Sequence, residues 1–109
     1  MTLSDTYANI KDAGASITPL PDSYGRYNVT ALSQSMTINN TAGARSCEGM
    51  VLEFAIASSG SYNVNYASGY LDASGSALSA TALTSGQTLF ARFQQTNGDW
   101  YLISPIVVA

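Results

Sequence analysis

From Tyr27 onward the chain alternates apolar and polar side chains with a period of two, and clusters of Gly, Asn or Ser interrupt the alternation roughly every eight to twelve residues. Successive side chains leave a β-backbone on opposite sides, so this period is what a strand with one buried face requires. No segment reads as a long helix. Gly49 to Ala57 is the clearest stretch, with Met50, Leu52, Phe54 and Ile56 facing one way and Val51, Glu53, Ala55 and Ala57 the other. The first set is expected in the core. Tyr27 to Leu32 and the Met36/Ile38 pair read as shorter strands, and Ser58 to Ser61 as a turn making a hairpin with Tyr62 to Tyr66.

Residues 67 to 86 are rich in Ala, Ser and Gly, which fits loops and short edge strands. Gln87 to Gln95 resumes the alternation, with Leu89, Ala91 and Phe93 on one face and Phe90, Arg92 and Gln94 on the other. Asn97-Gly98 then predicts a type I′ hairpin turn, because that turn needs positive φ at both central residues. Trp100 to Ile103 is the return strand. Pro105 cannot donate to a ladder and must sit at an edge, a bulge or a strand end.

These pieces predict an all-β chain: an antiparallel β-sandwich of jelly-roll type over residues 25 to 109, preceded by an extended arm over residues 1 to 24. The arm shows no sustained period, and Pro19-Leu20-Pro21-Asp22 favours extended or turning backbone. Its apolar residues are Leu3, Tyr7, Ile10, Ile17 and Leu20, and they are expected to contact a neighbouring subunit or another surface.

At 109 residues there is room for one domain. Only 10% of the residues are charged and the formal net charge is −3, with four basic residues in all, too few for the phosphate contacts that nucleic-acid binding requires. Histidine is absent and Cys47 stands alone, so intramolecular disulfides, the usual zinc sites and histidine-dependent triads are excluded together. No cofactor is expected. Two-carboxylate hydrolysis needs no histidine and leaves Asp22, Glu48, Glu53, Asp72 and Asp99 as candidates, but Glu48 and Glu53 are an odd number of residues apart and would face opposite sides of a regular strand. The expectation is that the chain is no enzyme. Seven tyrosines and one tryptophan invite sugar stacking, against the simpler reading of core and cross-strand packing. MTLSDTYANIKDAG has acidic residues and no apolar run, so neither a secretory signal nor a membrane anchor is expected, and synthesis is expected in the cytoplasm.

In order along the chain stand Tyr27-Asn28-Val29-Thr30-Ala31-Leu32, Met36-Thr37-Ile38, Gly49-Met50-Val51-Leu52-Glu53-Phe54-Ala55-Ile56, Gln87-Thr88-Leu89-Phe90-Ala91-Arg92-Phe93 and Asn97-Gly98-Asp99-Trp100-Tyr101-Leu102. The set resembles the small β-sandwich modules of tailed-bacteriophage virions, found as head decoration (cement) proteins, head fibres and fibre domains. Ser58-Ser59-Gly60-Ser61 departs from the charged Asn-Gly hairpin often seen there, and Asn65 stands near a common tryptophan position. The resemblance implies a structural virion protein on the outer surface of the capsid, trimeric, with the major capsid protein as partner. Its alternative is a fibre or receptor-binding module that recognises bacterial surface glycan.

Self-association also has a basis in the pattern. Trp100, Leu102, Ile106 and Val108 alternate with Tyr101, Ile103, Pro105 and Val107, so both faces of the last segment want burial. One core covers one face. The other, carrying Phe90, Tyr101, Ile103 and Val107, is expected to meet a second copy or a capsid surface.

Overall fold

The computed structural model describes residues 7–19, 25–40 and 48–109. Among these residues there is no helix, and the strands are β1 (Tyr7–Ile10), β2 (Ser16–Ile17), β3 (Arg26–Leu32), β4 (Met36–Ile38), β5 (Val51–Ser58), β6 (Tyr62–Tyr66), β7 (Tyr70–Leu71), β8 (Thr81–Leu83), β9 (Thr88–Thr96), β10 (Asp99–Leu102) and β11 (Val107–Val108). They form two sheets. The larger runs β1-β3-β5-β9-β10-β7, with β11 also on β9, and the smaller runs β2-β4-β6-β8.

Both sheets are mixed, which corrects the expected antiparallel pairing. β1 pairs β3, β3 pairs β5, β2 pairs β4 and β4 pairs β6, all in parallel, as does β7 with β10. The chain reaches this arrangement by switching sheets from each strand to the next as far as β9. β1, β3 and β5 lie in the larger sheet and β2, β4 and β6 in the smaller, so each consecutive pair is an arch across the core, and three arches stack in one direction. Ser58 to Ser61 therefore joins the two legs of an arch and does not close a hairpin. An arch turns the inner faces of its legs toward each other, whereas a hairpin sets them side by side; both leave the same alternation in the sequence. A fourth arch, β8 to β9, runs in reverse, antiparallel to β6 and β5.

Residues 7–19 of the segment expected to be an arm belong to the stack. Tyr7 to Ile10 lie in register with Arg26 to Val29, and Ser16 and Ile17 with Thr37 and Ile38. A four-residue and a two-residue strand are too short to show a period, and their neighbours in the ladder, not their own pattern, fix them as strands.

Hydrogen bonds tie each arch turn to the next. The Ala31 N–H donates to the Lys11 carbonyl at 2.6 Å, and the Asp12 carboxylate accepts from the Ser33 hydroxyl and from the Gly14 N–H. The Leu32 carbonyl accepts from both the N–H and the hydroxyl of Ser59, at 3.0 and 2.7 Å. Gly86 N–H donates to the Ser58 carbonyl and Ser58 N–H to the Gln87 carbonyl, both at 2.9 Å, which seats the reversed arch on the third.

Inside, the ladders align side chains in rows. Ala8, Tyr27, Phe54 and Ala91 form one, small at its ends and aromatic in its middle, and Ile10, Val29, Ile56 and Leu89 form another. Phe93 lies 6.1 Å from Phe54, 5.2 Å from Tyr70 and 6.3 Å from Tyr66, so rings from both sheets converge on it. Ile17, Met36, Ile38, Val64 and Leu83 complete the same cluster from the smaller sheet, and Trp100 is fully buried in it.

Two outcomes follow. Phe54→Ala is expected to cost about 3 to 5 kcal/mol in denaturant titration, the range for emptying a buried aromatic site. The Asp12 carboxyl is held below its ordinary value of 3.8, chiefly by the Ser33 hydroxyl and then by the Gly14 N–H. The folded chain thus takes up that proton less readily than the unfolded one, so the stability this group contributes is complete above the ordinary value and lost as pH falls through the depressed one. Asp12→Asn should lower the melting temperature at about pH 7, and its difference from the parent should shrink as pH falls through the depressed value.

A candidate interaction face

Since Phe54 and Phe93 point inward, the intervening residues of β5 and β9 point away from the core, and the register then lays out the outer face of the larger sheet. One row across it is Asn9, Asn28, Ala55, Phe90 and Val107. Beside it run Arg26, Glu53 and Arg92, extended by Ile103, whose N–H donates to the Arg92 carbonyl at 3.1 Å. A third row is Val51, Gln94 and Tyr101. Phe90, Ile103 and Val107 are 41%, 44% and 51% exposed, and with Val108 they make up the exposed large hydrophobic residues among those described. Phe90 lies in β9, Val107 and Val108 in β11, and Ile103 directly after the end of β10. Ala55 stands opposite Phe90 in the β5–β9 ladder and offers its ring no more than a methyl group, so the ring stays open to solvent.

Phe90, Tyr101, Ile103 and Val107, expected from the sequence to share a face, do so. Two residues of the expected arm, Ile10 and Ile17, do not join them. Ile17 is a core residue, and Ile10 packs against the core from β1, so both are consumed in folding; this corrects their assignment as contact residues. Tyr7 occupies a register position in β1 and nothing is described of its side chain, while Leu3 and Leu20 lie outside the described residues. Asn9, Asn28, Arg26 and Ala55 complete the face and were not singled out from sequence. Each comes from a different strand position whose neighbour is set by register, and no pattern within one strand announces it.

Next to the face, Ala73, Leu102, Ile103, Ser104 and Pro105 line an open groove of about 360 Å³. Pro105 follows the end of β10, as a residue with no N–H to give must. Ile103 belongs to both groove and face, which makes the apolar surface continuous. Two of the four basic residues, Arg26 and Arg92, flank Glu53 in the second row. Arg26 Nε donates to the Asn28 side-chain oxygen at 3.0 Å, and the Asn28 amide donates to Asn9 Oδ1 at 3.1 Å, so polar side chains lock the β1–β3 part of the face. Arg92 Nε lies 3.6 Å from Glu53 Oε2 with both side chains well exposed.

The carboxylates named from sequence occupy separate places. Glu48 accepts the Gly98 N–H at 2.7 Å at the hairpin tip, and Glu53 faces Arg92. Asp72 is bound within its own loop by the N–H groups of Ser76 and Ser74 and the Ser74 hydroxyl, which hold its carboxyl below the ordinary range. Asp99 begins β10, and Asp22 lies outside the described residues. The aromatic residues are largely spent on packing. Trp100, Tyr70 and Tyr27 are buried; the Tyr70 hydroxyl donates to the Asn39 carbonyl at 2.9 Å, and burial pushes its ionisation upward. Tyr66 shares a hydrogen bond of 2.8 Å with Thr81. Tyr101 is half-buried, and a Cβ placed on Gly75 would lie 3.8 Å from the edge of its ring.

Comparison with protein-family models, with curated proteins and with solved structures gives no match.

An exposed ion pair of this kind contributes about 0 to 1 kcal/mol. A double-mutant cycle on Glu53→Gln and Arg92→Gln should return a coupling inside that range that shrinks as salt is added. The two charges are therefore free of any large stabilising duty.

Proposed function

We propose that this chain is a structural β-sandwich module of a tailed-bacteriophage particle, a capsid decoration protein that self-associates and holds to the outer surface of the head. The observation that carries the reading is the outer face of β9, β10 and β11, where Phe90, Ile103 and Val107 stand exposed in adjacent register positions and run into an apolar groove. A face of this kind, rimmed by Arg26, Glu53 and Arg92, has the composition of an interface centre with a polar border. Burying about 800 Å² per subunit there would make an ordinary specific contact. Closed rotational symmetry is the arrangement that pairs such patches without forming filaments. The choice of three copies, and of the major capsid protein as the second partner, rests on the resemblance to decoration modules. Low charge supports the same reading, because copies carrying few like charges repel one another weakly.

Sedimentation equilibrium at micromolar concentration is expected to show an oligomer, and Phe90→Ser combined with Val107→Ser to return it to monomer. Because both side chains are exposed, each change should alter folding stability by no more than about 0.5 kcal/mol, so loss of assembly would not be loss of fold. A parent chain that sediments as a clean monomer overturns self-association. Binding to purified phage heads, read by co-sedimentation and by density on the particle surface in cryo-electron microscopy, tests the capsid partner; absence from the head exterior overturns that assignment even if the oligomer stands.

A further inference from the structure

We propose that the tip of the β9–β10 hairpin is a self-acting modification site, in which Asn97 is converted to aspartate and isoaspartate by attack of the Gly98 nitrogen, with Glu48 as the base. The inference is independent of the proposed assembly role. Asn97-Gly98 is the single place in the chain where glycine follows asparagine, and glycine is the residue that leaves the following nitrogen least crowded. Asn97 and Gly98 both hold positive φ, 53° and 84°, and both are exposed. A Cβ placed on Gly98 would meet nothing within 4 Å, so the space on that side of its Cα is open. Among the described residues no hydrogen bond restrains the Asn97 side-chain amide, which can rotate toward its own backbone.

The second observation is what sits on the nitrogen. The Gly98 N–H donates to Glu48 Oε1 at 2.7 Å, a short charge-assisted bond between elements fifty residues apart. It is held there by the ladder, since the Gly49 N–H donates to the Gln95 carbonyl at 2.9 Å and the Gln95 N–H to the Met50 carbonyl at 3.1 Å. The carboxylate thus lies where a general base must lie, within hydrogen-bond reach of the proton to be removed.

The chemistry balances without a cofactor. The Gly98 nitrogen forms a bond to Asn97 Cγ as its proton passes to the Glu48 carboxylate. The tetrahedral carbon then expels its amide nitrogen, which takes that proton back and leaves as ammonia, and a five-membered succinimide remains. Water adds to one of the two ring carbonyls and opens the ring, giving aspartate if the backbone bond survives and isoaspartate if the backbone is rerouted through the side-chain carbon. Net, one amide and one water become one carboxyl group and ammonia. Each event moves the formal net charge one unit beyond −3, beside Glu48 and Asp99, and the isoaspartate form lengthens the backbone of a two-residue turn that has no slack.

The test uses the whole folded chain kept at 37 °C and neutral pH, sampled over weeks and cleaved with trypsin after Arg92, so that Phe93 to Ala109 is released as one peptide with Asn97 as its only asparagine. Mass spectrometry reads the amide-to-acid conversion, and fragmentation separates aspartate from isoaspartate. The expected result is conversion faster in the folded chain than in the free synthetic peptide Phe93 to Ala109, and about tenfold slower in Glu48→Gln than in the parent. Equal rates in Glu48→Gln and parent, or a folded chain slower than the free peptide, overturn the proposal. Should Glu48→Gln disturb the hairpin by circular dichroism, the comparison of parent with peptide decides alone.

Discussion

The Leu32 carbonyl oxygen, accepting both the N–H and the hydroxyl of Ser59, is the clearest instance of the constraint on which the molecule rests: each arch is positioned by the turn of the arch beside it. An isolated arch cannot hold itself, because its two legs make no backbone hydrogen bonds to one another. All its pairing lies with the arches above and below. In-register stacking satisfies those backbone groups and at the same time lines up the inner side chains, so that Ile10, Val29, Ile56 and Leu89 fall into one row and Tyr27 meets Phe54 at 5.9 Å. Backbone saturation and core packing are here two results of one register.

That register also builds the outer face. Side chains one residue away from the core rows must align as well, so Phe90 comes opposite both Ala55 and Val107 without any separate device. The face is thus a by-product of core alignment, and its character is decided by which residues the sequence places at the off-core positions. In β1 and β3 these are asparagines and an arginine joined by hydrogen bonds. In β9 and β11 they are Phe90 and Val107, which stand among the exposed large hydrophobic residues of those described.

Much of this was legible in the sequence. Alternation identified the inner residues of β5 and β9, Asn97-Gly98 marked its turn, and the doubly apolar segment from Trp100 to Val108 pointed to the exposed face. Strand direction was not legible, because Leu52-Glu53-Phe54 carries the same alternation whether its neighbour runs parallel or antiparallel. Nor was the fate of Tyr7 to Ile17. Ile10 and Ile17 looked like the apolar residues of a free arm, since strands of four and two residues carry too few positions to display a period. Ser58-Ser59-Gly60-Ser61 looked like a hairpin turn, and what makes it an arch is the Leu32 carbonyl, twenty-seven residues away in sequence.

The reversed arch has a consequence for how the chain comes together. Thr88 to Thr96 lies between β5 on one side and β10 and β11 on the other, so a strand from the last quarter of the chain occupies the middle of the larger sheet. Until it is synthesised, β5 has an open edge and Phe54 lacks the Phe93 ring against it. The first three arches can be made in order as the chain emerges from the ribosome, yet none of them is closed by its own contacts. Contacts between strands so far apart in sequence form slowly, and a half-made chain presents apolar surface and an unpaired edge in the meantime. Closure therefore waits until Thr88 to Thr96 has been synthesised, and the arrival of that one strand is what lets the stack become a folded protein.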